Sequence, residues 1–99
     1  MATLNVIIDV EARNAIKQAY VYIRKSSLQN AEKVKAEILS CIKQLAVNPH
    51  RHPPDKYRVN NDLSYRAFEI HKFRITYYVG VNEIRVIRIR HTQMHPFFY

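Results

Sequence analysis

The spacing of apolar residues changes at a connector over residues 50–54, and this change constrains the fold more than any other feature. From about residue 11 to the connector, apolar residues recur at the 3.6-residue period of helices, and beyond it they alternate with polar residues as they do in strands. A chain of 99 residues has room for one core, so both parts must share it. We therefore expect a single domain over residues 1–99.

A short strand and a helix are predicted at the start of the chain. The run Leu4–Val10 is rich in Val and Ile, which favour strands. Asp9 and Glu11 close this run and favour the beginning of a helix. An amphipathic helix is then predicted from about Glu11 to Lys25. Its core-facing residues are Ala12, Ala15, Ile16, Ala19, Tyr20 and Ile23.

A second, longer helix follows, and the two helices should form an antiparallel hairpin. Ser26, Ser27 and Asn30 are each able to cap its N-terminus. We expect it to end at Asn48, because Pro49 disfavours helical backbone in the residue before it. Its buried stripe is predicted to consist of Ala31, Val34, Ile38, Cys41, Ile42 and Leu45.

Beyond the connector, four runs separated by short breaks are typical of strands: Tyr57–Asn60, Ser64–His71, Phe73–Val79 and Ile84–His91. Short breaks favour hairpins, so these strands should be antiparallel, and the two helices should cover one face of their sheet. The predicted fold class is α+β in two layers, with the N-terminal strand and the α-helical hairpin packed on a mostly antiparallel β-sheet. The other face of the sheet should be open to a partner.

The alternation within two strands assigns some side chains to that open face. Arg74, Thr76 and Tyr78 alternate with apolar residues, so Arg74 should be exposed at the middle of the sheet. In the last strand, Arg88 and Arg90 share one face with apolar residues, and the opposite face is also mixed. The pattern therefore leaves open whether these two arginines join Arg74.

The charge of the chain indicates an acidic partner. Sixteen Lys and Arg against eight Asp and Glu give a net charge of +8, which suits nucleic acid, an anionic surface or an acidic protein. Nine basic and five acidic residues lie up to Lys56, and seven and three lie beyond it, so the surplus is not a basic tail.

Other features of the sequence concern its location. The lone Cys41 cannot form an internal disulfide, and the first residues lack the pattern of a secretory signal. No apolar run approaches the length of a membrane span. We expect a cytoplasmic protein without a membrane partner.

A series of short motifs follows in a defined order. A leading strand precedes a helical hairpin that ends in a Leu, Asn, Pro stretch (Leu45–Pro49), and Tyr65–Arg66, Phe73–Tyr77 and Arg88–His91 come after it. In order, spacing and total length, these motifs resemble the RelE/ParE superfamily of toxins over nearly the whole chain. The resemblance implies the toxin of a type II toxin-antitoxin pair, with a cognate antitoxin protein as its partner.

The superfamily has two branches with different chemistry. RelE-like toxins cleave messenger RNA, usually on the ribosome, whereas ParE-like toxins bind DNA gyrase and poison it without a reaction of their own. Our leading hypothesis is a ribosome-dependent mRNA endoribonuclease, whose partners would be the ribosome and mRNA. The alternative is a ParE-like toxin that binds gyrase.

RNA cleavage needs a base, an acid and cations that stabilise the extra charge on the phosphate. The resemblance implies catalytic roles for Arg74, in the family's aromatic-Arg-apolar-x-Tyr motif, and for His95 and Tyr99. Arg66, one hairpin strand away from Arg74, is the fourth catalytic candidate. An arginine can hold two phosphate oxygens, and an imidazole titrates near neutral pH. Further candidates for RNA or target binding are Arg58, Lys72, Arg88, Arg90, His91 and Phe98.

Each candidate also has a structural interpretation. Arg74 can be a solvated strand residue, and Arg66 can cap a sheet edge or pair with an acid. His91 can serve packing and hydrogen bonding, while His95 and Tyr99 can belong to a tail that docks on the sheet. The sequence also lacks the dense lysine cluster of the best-known RNA-cleaving members and offers no obvious loop carboxylate as the base.

No metal or cofactor is expected. His50 with His52, or His91 with His95, would be the paired ligands of a metal site, but no Cys or carboxylate cluster completes either pair. A phosphate-binding glycine loop is excluded because Gly80 is the only glycine.

Overall fold

The computed structural model describes residues 4–93 and residue 99. In that part of the chain, the elements are β1 (Asn5–Ile8), α1 (Val10–Arg24), α2 (Leu28–Gln44), β2 (Tyr65–Ile70), β3 (Phe73–Val79) and β4 (Glu83–His91). The strands form one sheet in the order β1-β4-β3-β2. β1 is parallel to β4, and the other two pairs are antiparallel. The prediction of an α+β fold with a mostly antiparallel sheet is confirmed.

The second helix begins after one of the three candidate caps and ends before the predicted residue. Its N-cap is Ser27, whose hydroxyl accepts a hydrogen bond of 3.0 Å from the amide of Asn30. The helix ends at Gln44, so the prediction that it extends to Asn48 is wrong. The amide of Leu45 donates a hydrogen bond to the carbonyl of Ile42, three residues earlier, which tightens the last turn. Ala46 then accepts from the amide of Leu4, which draws the backbone away from the helix axis.

The core lies between the helices and one face of the sheet. The helices contribute side chains from their predicted stripes, and the strands contribute side chains from alternate positions. The buried members of this cluster are Ala12, Ile16, Val34, Ile38, Ile42, Leu45, Phe68, Ile75, Tyr77, Ile84, Val86 and Ile89. Each large apolar side chain buried in this way stabilises the fold by about 1.5–3 kcal/mol.

A β-bulge in β4 resolves the mixed pattern of that strand. Thr76 lies opposite Arg88, yet the next residue, Tyr77, lies opposite Val86, so Ile87 has no partner across the ladder. The extra residue shifts the alternation by one. Unbroken alternation would place Arg88 on the same side of the sheet as Val86. Because of the bulge, Arg88 lies on the other side, and the residues after it are shifted in the same way.

The bulge determines which arginines share a face. Val86 faces the core, whereas Arg88 and Arg90 lie opposite Thr76 and Arg74. We call the sheet face that carries Arg74, Arg88 and Arg90 the polar face. The question that the sequence left open is thus answered, since both arginines join Arg74.

The chain after α2 covers the outer edge of β2 instead of adding a strand. The amide of Asp55 donates to the carbonyl of Tyr65 at 2.8 Å, and Pro54 forms an isolated bridge with Arg66. Residues 57–60 form turns, so the predicted strand over Tyr57–Asn60 is wrong. This segment also lies over the polar face, and Arg74 is only 8% exposed. The predictions of an open face and an exposed Arg74 are therefore wrong as well.

No helix within the described residues is long and apolar enough to cross a membrane.

Candidate functional site

A buried ion pair joins Asp55, the residue that follows the connector, to Arg74 of the inner strand β3. Arg74 Nη2 lies 2.7 Å from Asp55 Oδ1, and the Asp55 residue is 2% exposed. Arg74 Nη1 also donates to Glu69 Oε2 at 3.2 Å. Glu69 lies directly opposite Arg74, on the neighbouring strand β2. A buried guanidinium needs such partners, because an unpaired charge in this position would be strongly destabilising. Both terminal nitrogens of the Arg74 guanidinium are therefore bound to carboxylates of the same molecule.

Tyr99 binds the second oxygen of the same carboxylate. Its hydroxyl donates to Asp55 Oδ2 at 2.5 Å. Its backbone pairs with the segment after the connector, because its amide donates to Tyr57 O at 3.1 Å and its carbonyl accepts from the Val59 amide at 2.7 Å. These three bonds fix both the ring and the backbone of Tyr99 over the polar face.

In the hydrogen bond between Tyr99 and Asp55, the proton resides on the Tyr99 phenol. Burial alone would raise the pKa of Asp55, but hydrogen bonds from Tyr99, Arg74 and the Tyr57 amide hold that pKa below its ordinary value. Burial and the Asp55 carboxylate raise the pKa of the Tyr99 phenol well above its ordinary value. At neutral pH, Asp55 is thus an anion and Tyr99 a neutral donor.

Two aromatic rings lie close to the arginines around this carboxylate. The ring of Tyr57 lies 4.9 Å from the guanidinium carbon of Arg74 and 5.8 Å from that of Arg90. The ring of Tyr99 lies 5.1 Å from Arg58 and 5.0 Å from Arg88. We call this group the Asp55 cluster; its members are Asp55, Tyr57, Arg58, Arg74, Arg88, Arg90 and Tyr99.

Sequence reasoning missed two members of this cluster, Tyr57 and Asp55, and Asp55 is the one that binds both Arg74 and Tyr99. Its position after Pro53 and Pro54 was the available signal, since prolines fix the direction in which the next residue leaves the connector. Asn61 completes its setting by donating to the carbonyls of Asp55 and Tyr65, at 3.2 and 2.8 Å. The side-chain amide of Asn61 thus fixes the backbone that carries the Asp55 carboxylate.

Arg66 does not join the Asp55 cluster. It lies opposite Tyr77, on the core side of the sheet. Its Nη1 donates to His52 O at 2.7 Å, and its Nε donates to Leu63 O at 3.2 Å. These bonds hold the two ends of the segment that covers β2, which fits the structural interpretation of Arg66.

The remaining candidates lie elsewhere. Lys72 is exposed in the turn between β2 and β3, where its φ is 66°. His91 lies opposite Phe73 on the core side, with ring centroids 5.4 Å apart, and its Nδ1 accepts from the Gln93 amide. His95 and Phe98 lie outside the described residues.

The histidines of the connector do not form a recognisable metal site. The ring of His52 stacks on Phe68 with centroids 4.3 Å apart, and burial lowers its pKa, with Arg51 adding to the effect. Across residues 4–93 and 99, no group of three His, Cys, Asp or Glu side chains is placed to hold a metal ion.

A second surface lies on the helical hairpin. A groove of about 630 Å³ runs between α1 and α2 beside the end of β1, and we call it the hairpin groove. Its apolar residues are Ile8, Ile16, Val21 and Leu39, and its basic residues are Arg13, Lys17, Arg24 and Lys35. The remaining lining residues are Asn14 and Tyr20. An apolar floor with a basic rim is suited to an acidic, amphipathic partner.

The chain matches one family model, described as "ParE toxin of type II toxin-antitoxin system, parDE", over residues 6–96. No curated protein sequence matches it.

Three solved structures resemble this fold over most of their length. A chain of the chromosomal ParDE TA system from P. aeruginosa is 17% identical, with a TM-score of 0.71 over 92% of this chain and 98% of that one. The YoeB dimer from Staphylococcus aureus gives 20% identity and a TM-score of 0.57, over 91% and 98% of the two chains. The toxin-antitoxin complex RelBE2 from Mycobacterium tuberculosis gives 14% and 0.60, over 90% and 98%. At these identities, the likeness establishes a shared fold.

Proposed function

The chain belongs to the family of ParE toxins of type II toxin-antitoxin systems, and we propose that it acts by binding DNA gyrase without a reaction of its own. Gyrase binding is what the resemblance to the ParE branch implies. A toxin of this kind needs a surface that fits its target, and it needs no catalytic group. The proposal therefore reverses the order of the two hypotheses drawn from the sequence.

The state of Arg74 is the observation that carries this proposal. Cleavage of RNA would require its guanidinium to hold a phosphate, but the side chain is buried and bound to both Asp55 and Glu69. A phosphate would have to displace the carboxylate of Asp55, which also accepts from Tyr99. The arrangement is better suited to holding the connector on the sheet than to binding a substrate.

An antitoxin partner is part of the same proposal. The structural neighbours include the ParDE system and the RelBE2 complex, both of which pair a toxin with an antitoxin. The net charge of +8 favours an antitoxin with acidic segments, because opposite charges speed and orient association.

Supercoiling of relaxed plasmid DNA by purified gyrase tests the proposal. We expect supercoiling to fall as the toxin is titrated in, and to recover when the purified antitoxin is added. Topoisomerase I, which relaxes DNA without gyrase, serves as the control enzyme and should be unaffected. A flat gyrase titration at toxin levels that stop growth would exclude this function.

Ribosome-dependent RNA cleavage is the second candidate, and one specific observation favours it. Asp55, Arg74 and Tyr99 place a carboxylate, a guanidinium and a phenol in direct contact. These are the chemical types that cleavage would need as base, phosphate ligand and acid, provided that the connector opened.

Mapping of 5′ ends in a bacterial cell-free translation reaction separates the two candidates. The transcript is incubated with wild-type toxin, Asp55→Asn or His95→Ala, with ribosomes and without them. New ends that the wild-type toxin produces only with ribosomes would establish cleavage, and their loss in His95→Ala would assign that residue a role in it. An intact transcript is the result expected from a gyrase-binding toxin.

A further inference from the structure

We propose that the hairpin groove is the surface that binds the target, and that it receives an amphipathic helix with acidic flanks. This inference rests on the proposed function, in which the target is DNA gyrase. It assigns target binding to the helices and leaves the Asp55 cluster on the opposite side of the sheet with a structural role.

The floor of the groove consists of apolar side chains that the fold leaves partly open. Val21 of α1 is 43% exposed and Leu39 of α2 is 37% exposed. Ile8 and Ile16 continue this surface toward the sheet. The apolar stripe of a partner helix, with side chains three and four residues apart, fits such a trough between two helices.

The residues that line the rim of the groove carry an excess of positive charge. Arg13, Lys17, Arg24 and Lys35 line it, and no carboxylate is among its lining residues in the described part of the chain. The sheet differs, because Arg85 is bound to Asp9 and Glu83 there, just as Arg74 is bound to two carboxylates. A partner with acidic side chains would thus gain more at the groove than at these paired arginines.

An acidic side chain of the partner would bind next to Tyr20, where two cations lie close to its ring. Its ring lies 5.1 Å from Lys35 Nζ and 5.8 Å from the guanidinium carbon of Arg24. Its hydroxyl donates to Glu32 Oε1 at 2.7 Å, so a carboxylate of the toxin itself already contacts the tyrosine that these two cations approach. We infer that Glu32 weakens the attraction for the acids of the partner. Replacing it with a neutral residue should therefore tighten binding.

Charge reversal on the rim tests the proposal. Arg24→Glu and Lys35→Glu should each raise the toxin concentration that half-inhibits gyrase by about tenfold or more, because like charges would then meet at the interface. Lys33→Glu and Lys43→Glu reverse the same charge on α2 outside the groove lining, and they should leave that concentration nearly unchanged. Glu32→Gln should lower it.

A substitution on the floor keeps the proposal testable if a charge reversal disturbs folding. Leu39→Gln changes a side chain outside the buried core and should also weaken inhibition, while circular dichroism should show an unchanged fold. Antitoxin binding, measured by calorimetry, is followed in parallel for every variant.

The outcomes are distinct. Groove variants that inhibit gyrase as well as the wild type would overturn the proposal. Loss of antitoxin binding with full gyrase inhibition would also overturn it, because the groove would then belong to the antitoxin. A wild-type toxin that leaves gyrase unaffected would overturn the proposed function, and this inference with it.

Discussion

The phenol of Tyr99 donates a hydrogen bond of 2.5 Å to the carboxylate of Asp55, across 44 residues of sequence. The same carboxylate binds Arg74, the second residue of the inner strand β3. A single acidic side chain thus joins three parts of the chain: the segment that follows the connector, the sheet and the residue at position 99. The free energy of unfolding should therefore depend on Asp55 far more than on the carboxylates that lie at the surface.

We predict that Asp55→Asn lowers the free energy of unfolding by about 3–5 kcal/mol, because it leaves a buried guanidinium without its main partner. Urea unfolding, followed by circular dichroism, measures this change. Glu69→Gln is the matched control, since it removes the other partner of Arg74. The Glu69 side chain is 56% exposed, so this control should cost less than about 1 kcal/mol. Equal effects of the two changes would contradict the assigned role of Asp55.

The stability should also depend on pH through Asp55. Because its pKa in the folded state is lowered from 3.8, its contribution is fully present above that value and is lost as the pH falls through the lower, folded-state pKa. The difference in melting temperature between wild type and Asp55→Asn should therefore shrink as the pH falls below 3.8. Asp62 also has a lowered pKa, and taking the difference between the two proteins cancels its effect. A difference that stays constant down to pH 2 would contradict this prediction.

Tyr99→Phe should destabilise the fold by about 1.5–3 kcal/mol, since it removes a hydrogen bond to a charged group and keeps the ring. Thermal unfolding of the two proteins at neutral pH gives the change. Tyr22→Phe removes an exposed hydroxyl from α1 and should have no measurable effect. If both variants melt like the wild type, the contact between Tyr99 and Asp55 contributes nothing to stability.

Arg66→Met should loosen the connector without displacing the core, because methionine keeps an apolar stem but loses both hydrogen bonds to backbone carbonyls. We expect hydrogen exchange at the Asp55 amide, which is bonded to Tyr65 O, to become faster by about tenfold. The exposed Lys33→Met is the control and should leave this amide protected. Unchanged exchange at Asp55 in the Arg66 variant would show that Arg66 does not hold the connector.

The sequence predicted the elements well because their signals are local. Both helical stripes and the strands β2, β3 and β4 follow from the period of the apolar residues, and the superfamily prediction is confirmed by the ParE family match. The bulge at Ile87 was not predictable, since a single residue of extra length appears only when the partner strand is known. The burial of Arg74 was missed for a similar reason. Its partner Asp55 lies 19 residues away in a segment without periodicity.

The covered edge of β2 has a consequence for solubility. An open strand edge is a template for strands of other molecules, and proteins protect such edges with loops or keep them short. Here the connector occupies the outer edge of β2, while β1, at the other end of the sheet, has only four residues. A toxin whose connector detaches would expose a six-residue edge that contains Ala67, Phe68 and Ile70. The segment that carries Asp55 therefore also guards the protein against precipitation through strand addition.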